Sequence, residues 1–298
     1  MGKIFRRIRD SVFRVFERRD LTPWEQIPRE HPPIYGVYHI LMDTGWKALA
    51  AQQIERLRQS GLLKSTNRLF ISCISQDEKD LVALQKMLTG ERVEVIACTS
   101  DPKRYEYPAL EFIQSLCKRE ECLVYYFHSK GITYQSVTAD DRAFQSFVHK
   151  IWSWREMLEH FIFFKWNVAV NALCNGFDTY GCYRWPPKDY RMYSGSFWWA
   201  RSSYVRQLPE FNPSVIRQNR FYSEVWLFER VHNAFSAFDT VADLYFVDIP
   251  RSIYDDGKPR RWDVIRFVVA YNWRKIQKHL LHYNYKVRCQ KRFQQLKK

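Results

Sequence analysis

Cys122-Leu123-Val124-Tyr125-Tyr126-Phe127-His128-Ser129-Lys130-Gly131 decides the fold. Six apolar or aromatic residues in a row read as a strand buried on both faces, the pattern of a parallel sheet covered by helices. The strand then stops at a polar loop that carries an imidazole, a hydroxyl and an ammonium. In open α/β sheets the carboxyl ends of the strands are where ligands bind. Two further clusters, Ser194-Gly195-Ser196-Phe197-Trp198-Trp199-Ala200 and Arg220-Phe221-Tyr222-Ser223-Glu224-Val225-Trp226, add cations, acids and flat rings to the same inventory, which suits an anionic, phosphate-bearing ligand.

Upstream, strand-like runs at 34–40, 68–74 and 92–98 alternate with helical segments. The helix at 45–60 stops at Gly61 and the one at 79–88 stops at Gly90. With 122–127 they make a β-α-β-α-β-α-β order, which predicts a mostly parallel, doubly wound α/β sheet with flanking helices. Tyr38-His39-Ile40-Leu41-Met42-Asp43 at the end of the first strand contains no GxGxxG, so a nicotinamide cofactor is not expected. Downstream, 141–174 reads as a long helical region, 179–184 and 196–200 as short strands, and 219–235 as another helix; Ser202 is a candidate cap for a helix through Leu208.

The 298 residues carry a net charge of +15, and its placement is uneven. Residues 1–19 hold seven Lys/Arg against two acids and 258–298 hold thirteen against one, so the body between them is close to neutral. A nucleic-acid groove would spread its cations along the body, so no nucleic-acid partner is expected. Ile4, Phe5, Ile8, Val12, Val15 and Phe16 share one face of a helix over 1–19, opposite Lys3, Arg6, Arg7, Arg14 and Arg18. Trp262, Ile265, Val269, Trp273, Ile276 and Leu280 share one face near the other end. Basic amphipathic ends of this kind either lie on an anionic membrane surface or dock on the body. The division that follows is 1–30, a basic amphipathic helix and linker; 31–257, the α/β domain; and 258–298, a basic helical extension. Seven cysteines without CxxC or zinc-like spacing read as reduced structural thiols. With no long apolar run, neither a span nor a signal segment is expected, and the cytoplasm is the expected compartment.

Five ordered landmarks, Tyr105-Glu106-Tyr107-Pro108-Ala109-Leu110, Tyr126 to Gly131, Trp152-Ser153-Trp154-Arg155-Glu156-Met157, Ser194 to Ala200 and Arg220 to Trp226, together resemble a GT-A-like glycosyltransferase family of bacterial surface-polysaccharide (capsule and O-antigen) clusters and large DNA viruses. Ser196 stands where Asn is expected and Ala109 where Thr is expected, and the Asp-x-Asp metal motif is absent. The resemblance implies a GT-A-like (Rossmann-like) fold, a nucleotide-sugar donor and a lipid-linked glycan acceptor. It also implies work at the inner face of the cell membrane, beside other polysaccharide-assembly enzymes.

Carried onto this chain, the donor set is His39, Tyr105, Glu106, His128, Ser129, Lys130 and Arg220. Lysine can neutralise a diphosphate without a metal; alternatively His128 binds Mn or Mg. Glu224, among aromatic side chains, is the candidate general base and Asp178 the rival acid, although an Arg220–Glu224 ion pair, a turn role for Asp178 and a helix-terminal role for Glu106 fit the same residues. Ser194, Gly195, Trp198 and Trp199 form the acceptor side, with one indole face offered to a sugar; Trp152, Trp154 and Trp166 are assigned to the core. Outside this class stand a non-catalytic nucleic-acid or anionic-membrane binding protein and a degenerate transferase kept as a scaffold.

Overall fold

The structure is a computed structural model that describes residues 12–90, 92–135, 137, 140–211 and 219–297. Its strands are β1 (Phe16–Arg18), β2 (Ile34–Leu41), β3 (Arg68–Ile74), β4 (Val93–Thr99), β5 (Leu123–His128), β6 (Thr179–Gly181), β7 (Arg184–Trp185), β8 (Met192–Tyr193), β9 (Trp198–Arg201), β10 (Ala234–Ser236) and β11 (Phe238–Thr240). Its helices are α1 (Trp46–Gln59), α2 (Leu62–Ser65), α3 (Glu78–Met87), α4 (Tyr107–Arg119), α5 (Arg142–Glu159), α6 (Trp166–Cys174), α7 (Ser202–Val205), α8 (Tyr222–Val225), α9 (Arg261–His279) and α10 (Tyr285–Leu296).

A seven-stranded sheet runs in the order β10-β6-β9-β5-β2-β3-β4. β5, β2, β3 and β4 are mutually parallel, β6 and β10 are parallel to each other, and β9 runs antiparallel between β5 and β6. This is the mostly parallel α/β sheet that the alternating pattern predicts. Residues Leu123 to Phe127 of β5 are all buried because both faces of the sheet are covered. Tyr38, Tyr125, Phe127 and Trp199 pack on the side of α1, α5 and α6, whereas Val37, Val124, Tyr126 and Trp198 pack on the side of α4 and α7. Gly36 makes the first packing possible: a Cβ there would fall 2.3 Å from the Tyr125 ring, whose hydroxyl lies 3.0 Å from Thr66 Oγ1.

One buried carboxylate ties helix to sheet. Glu159, at the end of α5, is 1% exposed and pairs with Arg56 of α1 at 2.6 Å and with Arg155 at 3.4 Å. Gln53 Nε2 donates to it at 2.9 Å, and the Tyr38 hydroxyl donates to Gln53 Oε1 at 2.7 Å. Burial raises the Glu159 pKa while the two guanidiniums oppose the rise. The same groups reach the chain after β5, since Arg155 Nη1 donates to the Lys130 carbonyl and Gln53 Nε2 approaches the His128 carbonyl. Past Glu159 the helix widens into a π-turn, His160–Phe164. Two carbonyls in that turn find side-chain donors from the sheet, Tyr180 Oη to Phe161 and Trp199 Nε1 to Ile162.

The structure corrects several expectations. Most of the helix assigned to 1–19 lies outside the described residues, and its later part, Phe16–Arg18, is a strand paired with β11. The ring of Phe16 stacks on Phe238 and meets Phe267 edge-on, contacts a solvent-facing helix would not supply. Residues 219–235 form only α8 and a 3-10 turn before β10, because Phe235 is buried as a strand residue beside β6. Ser202 opens α7 without capping it, and its hydroxyl accepts from the Cys122 amide instead. All seven cysteines are free thiols. No helix among the described residues is long and apolar enough to cross a membrane.

Replacing Glu159 by Ala leaves the buried Arg155 and the half-buried Arg56 without their counter-charge, so unfolding free energy in urea is expected to fall by about 3 kcal/mol. The isosteric Glu159→Gln is expected to lose less than the Ala variant.

Candidate functional site

From β2 the chain steps outward to β3 and β4, then returns to β5 on the other side of β2. The connections leaving β2 and β5 therefore diverge, which opens a crevice beyond their carboxyl ends. A cavity of about 800 Å³ occupies that place. It gathers His39 from β2, His128 to Gly131 from β5 and its loop, and Tyr105 and Glu106 from the approach to α4. Ser194 to Ser196 enter from the loop before β9, and Arg220 and Glu224 from around α8.

His39 and His128 are register partners on adjacent strands. Burial holds both imidazoles below their ordinary range, His39 at about 4, so both are neutral at neutral pH. Ser72 Oγ lies 3.2 Å from His39 Nδ1, whereas His128 Nδ1 is buried without a hydrogen-bond partner among the described residues. Ser129 holds the strand ends together, because its amide donates to the His39 carbonyl at 3.0 Å and its hydroxyl oxygen accepts from the Leu41 amide at 2.9 Å. Its hydroxyl proton is left for a ligand.

Lys130 Nζ sits 3.9 Å from the ring centroid of Trp154. Burial pulls its pKa down to about 8, with Lys286 adding to the fall and Glu224 and Glu106 opposing it. Below it lies Gly195 at φ +86°, where a Cβ would come within 2.4 Å of Leu158 Cδ1 and 3.4 Å of Lys130 Cε. Next to it Ser196 has φ +54°, a left-handed conformation in which Asn is favoured over Ser. The departure from the family pattern therefore falls on a backbone position with a physical preference for the missing residue.

Two carboxylates face this ammonium. Burial raises the pKa of Glu106, the charge of Glu224 raises it further, and a 3.2 Å hydrogen bond from Ser223 Oγ works against the rise. Tyr126 Oη feels both acids and has no hydrogen-bond partner among the described residues. Arg220 lies over the rings of Phe221 and Tyr105, at 4.8 and 5.6 Å. Its guanidinium is stacked on aromatic faces with its edge available, and no Arg220–Glu224 ion pair forms among the described residues. Tyr105 itself has φ 45° and ψ −137°, a strained conformation at the cavity wall.

Not every expected residue arrives. Trp198 and Trp199 do face opposite sides of β9, but both sides are core: Trp198 packs against Tyr126, and Trp199 against Tyr125 with its Nε1 held by Ile162. Neither offers a ring to the cavity. Asp178 precedes β6 and lies outside the cavity, where it holds Arg201 and accepts from the Asn233 amide at 2.7 Å. Conversely Trp154, assigned to the core, carries the Lys130 ammonium on its face, and Trp185, Asp243, Tyr245 and Lys286 line the cavity although no motif points to them. Lys286 comes from α10, whose register against the cavity no local pattern reveals. Among the described residues no three His, Cys, Asp or Glu side chains converge as a metal site. His128 has only His39 beside it and Lys130 next in line, so the donor set does not fit a protein-held divalent ion.

The chain belongs to the family described as a domain of unknown function (DUF8361), whose model matches residues 38–220. A comparison with curated protein sequences finds no match. Among solved structures the chain is similar to the mannosyltransferase PcManGT from Pyrobaculum calidifontis in complex with GDP-Man and Mn2+, at 10% identity, 86% coverage of this chain, 70% of that chain and a TM-score of 0.44. It is also similar to the 4-diphosphocytidyl-2C-methyl-D-erythritol synthase from Anaerococcus prevotii DSM 20548, at 8% identity, 80% and 98% coverage and a TM-score of 0.33.

The ammonium of Lys130 is present below about pH 8 and lost above it. Calorimetric binding of inorganic pyrophosphate is therefore expected to weaken as pH rises through that value, well before an ordinary lysine titrates. Lys130→Met is expected to flatten this dependence.

Proposed function

We propose that this chain is a glycosyltransferase that moves a sugar from a nucleotide-sugar donor to a lipid-linked glycan acceptor in cell-surface polysaccharide synthesis. The observation that carries the reading is the opposition, inside one switch-point cavity, of two cations, Lys130 and Arg220, to two carboxylates, Glu106 and Glu224. Glycosyl transfer assisted by a general base uses both. The bond from the anomeric carbon to the phosphate oxygen breaks and leaves negative charge on the diphosphate, while the acceptor hydroxyl forms the new C–O bond and gives up its proton.

Lys130 and Arg220 are the groups for the departing diphosphate, and the neutral His128 offers it a hydrogen bond without adding charge. Glu224 takes the acceptor proton. Glu106 shares the field: burial and then the charge of Glu224 raise its pKa. Trp185 and Tyr245 take the acceptor-side role in place of Trp198 and Trp199, together with Ser194 and Gly195. The cavity volume, about 800 Å³, lies within the range of roughly 300–1,000 Å³ typical of organic-ligand sites.

Thermal-shift screening against a panel of nucleotide sugars, with and without Mn2+, is expected to show stabilisation by one donor class. With that donor radiolabelled, Lys130→Ala is expected to lower kcat by about 10²-fold or more while circular dichroism stays unchanged. Undiminished transfer by the variant would remove Lys130 from the mechanism, and no stabilisation by any donor would remove the transferase reading.

A further inference from the structure

Helix α9 packs on the body through Phe267 and Val268, both buried. Among the described residues its opposite face is exposed and carries an apolar stripe from end to end. Trp262, Ile265, Val269, Trp273, Ile276 and, just past the helix, Leu280 recur at spacings of three and four, and their exposure runs from 41% at Ile276 to 79% at Trp262. At 1.5 Å per residue the stripe extends about 27 Å. Contiguous exposed apolar surface of this kind marks a contact with a partner or a membrane. A helix face is convex and cannot enclose a small ligand, so the occupant is an extended surface.

Charge selects which surface. Arg266 flanks the stripe, Arg260 and Arg261 precede it, and residues 258–298 hold thirteen Lys/Arg against one acid. A second copy seated on this face would press two such cationic segments together. Anionic headgroups complement them, and a polynucleotide would gain nothing from the apolar stripe. Trp262 in the first turn and Trp273 three turns on are the residue type that prefers the boundary between headgroups and acyl chains.

We propose that the solvent face of α9 is the surface on which this protein lies against an anionic phospholipid bilayer, with the stripe at the acyl boundary and the flanking cations among the headgroups. The next helix, α10, sends Lys286, Gln290 and Phe293 into the cavity. The groove between the two helices, with Lys275 and Lys278 on it, shares Trp185 and Asp243 with that cavity. The docking itself does not rest on the transferase reading.

The test is co-sedimentation of the full chain with phosphatidylcholine vesicles, with and without phosphatidylglycerol. Wild type is expected to pellet with the anionic vesicles, and Trp262→Ser/Trp273→Ser to bind about tenfold or more weakly with an unchanged melting curve. Lys130→Ala is expected to pellet like wild type, which separates this proposal from the donor chemistry. Undiminished binding by the double variant overturns it. So does a wild type that ignores vesicles but forms a concentration-dependent dimer that the double variant loses. Vesicle binding that appears only after removal of residues 1–11 overturns it too, because the chain's own segment would then cover the face.

Discussion

The buried Glu159 carboxylate is the constraint on which the rest depends. It is held between Arg56 and Arg155, and through Gln53 it is linked to Tyr38 in β2. Its partners also grip the carbonyls of His128 and Lys130, so the loop that carries the site chemistry is fixed by an ionic network beneath it. A buried ion pair is weak evidence for stability, but a network of this kind fixes geometry. Here it fixes where β5 ends and in which direction the ammonium leaves.

The electrostatics of the cavity follow from that placement. Lys130 is half-buried over Trp154, and the same low-dielectric surroundings that hold its pKa down push that of Glu106 up. Neutral histidines at the strand ends keep the charge balance in the hands of a few groups. Each cation and acid then acts at greater strength than it would in water, which is the preorganisation that charge transfer to a leaving group requires.

Much of this is legible in the sequence, and the failures have physical reasons. The repeating strand and helix order is readable because buried parallel strands are continuously apolar and their helices stop at glycine. The loop at His128 to Lys130 is readable because a strand end in such a sheet is a site by topology. The alternation at Trp198 and Trp199 is readable too, but a sheet with core on both faces leaves no open side for either ring. The segment 219–235 has helical periodicity and still yields a strand at Ala234–Ser236, because pairing with β6 outweighs local preference. Lys286, Asp243 and Tyr245 are invisible for a different reason: tertiary docking of distant segments carries no short-range signature.

That docking also fixes the order in which the cavity is completed. Most of its wall is laid down by residue 245, yet one side is supplied by Lys286, Gln290, Phe293 and Gln294 of α10. Tyr285 and Cys289 of that helix bury against Phe144, Phe147 and Ile151 of α5, so the wall closes only when α10 has found its seat. Until then the cavity is an open-sided trough, and tight ligand capture waits on the seating of α10 against α5.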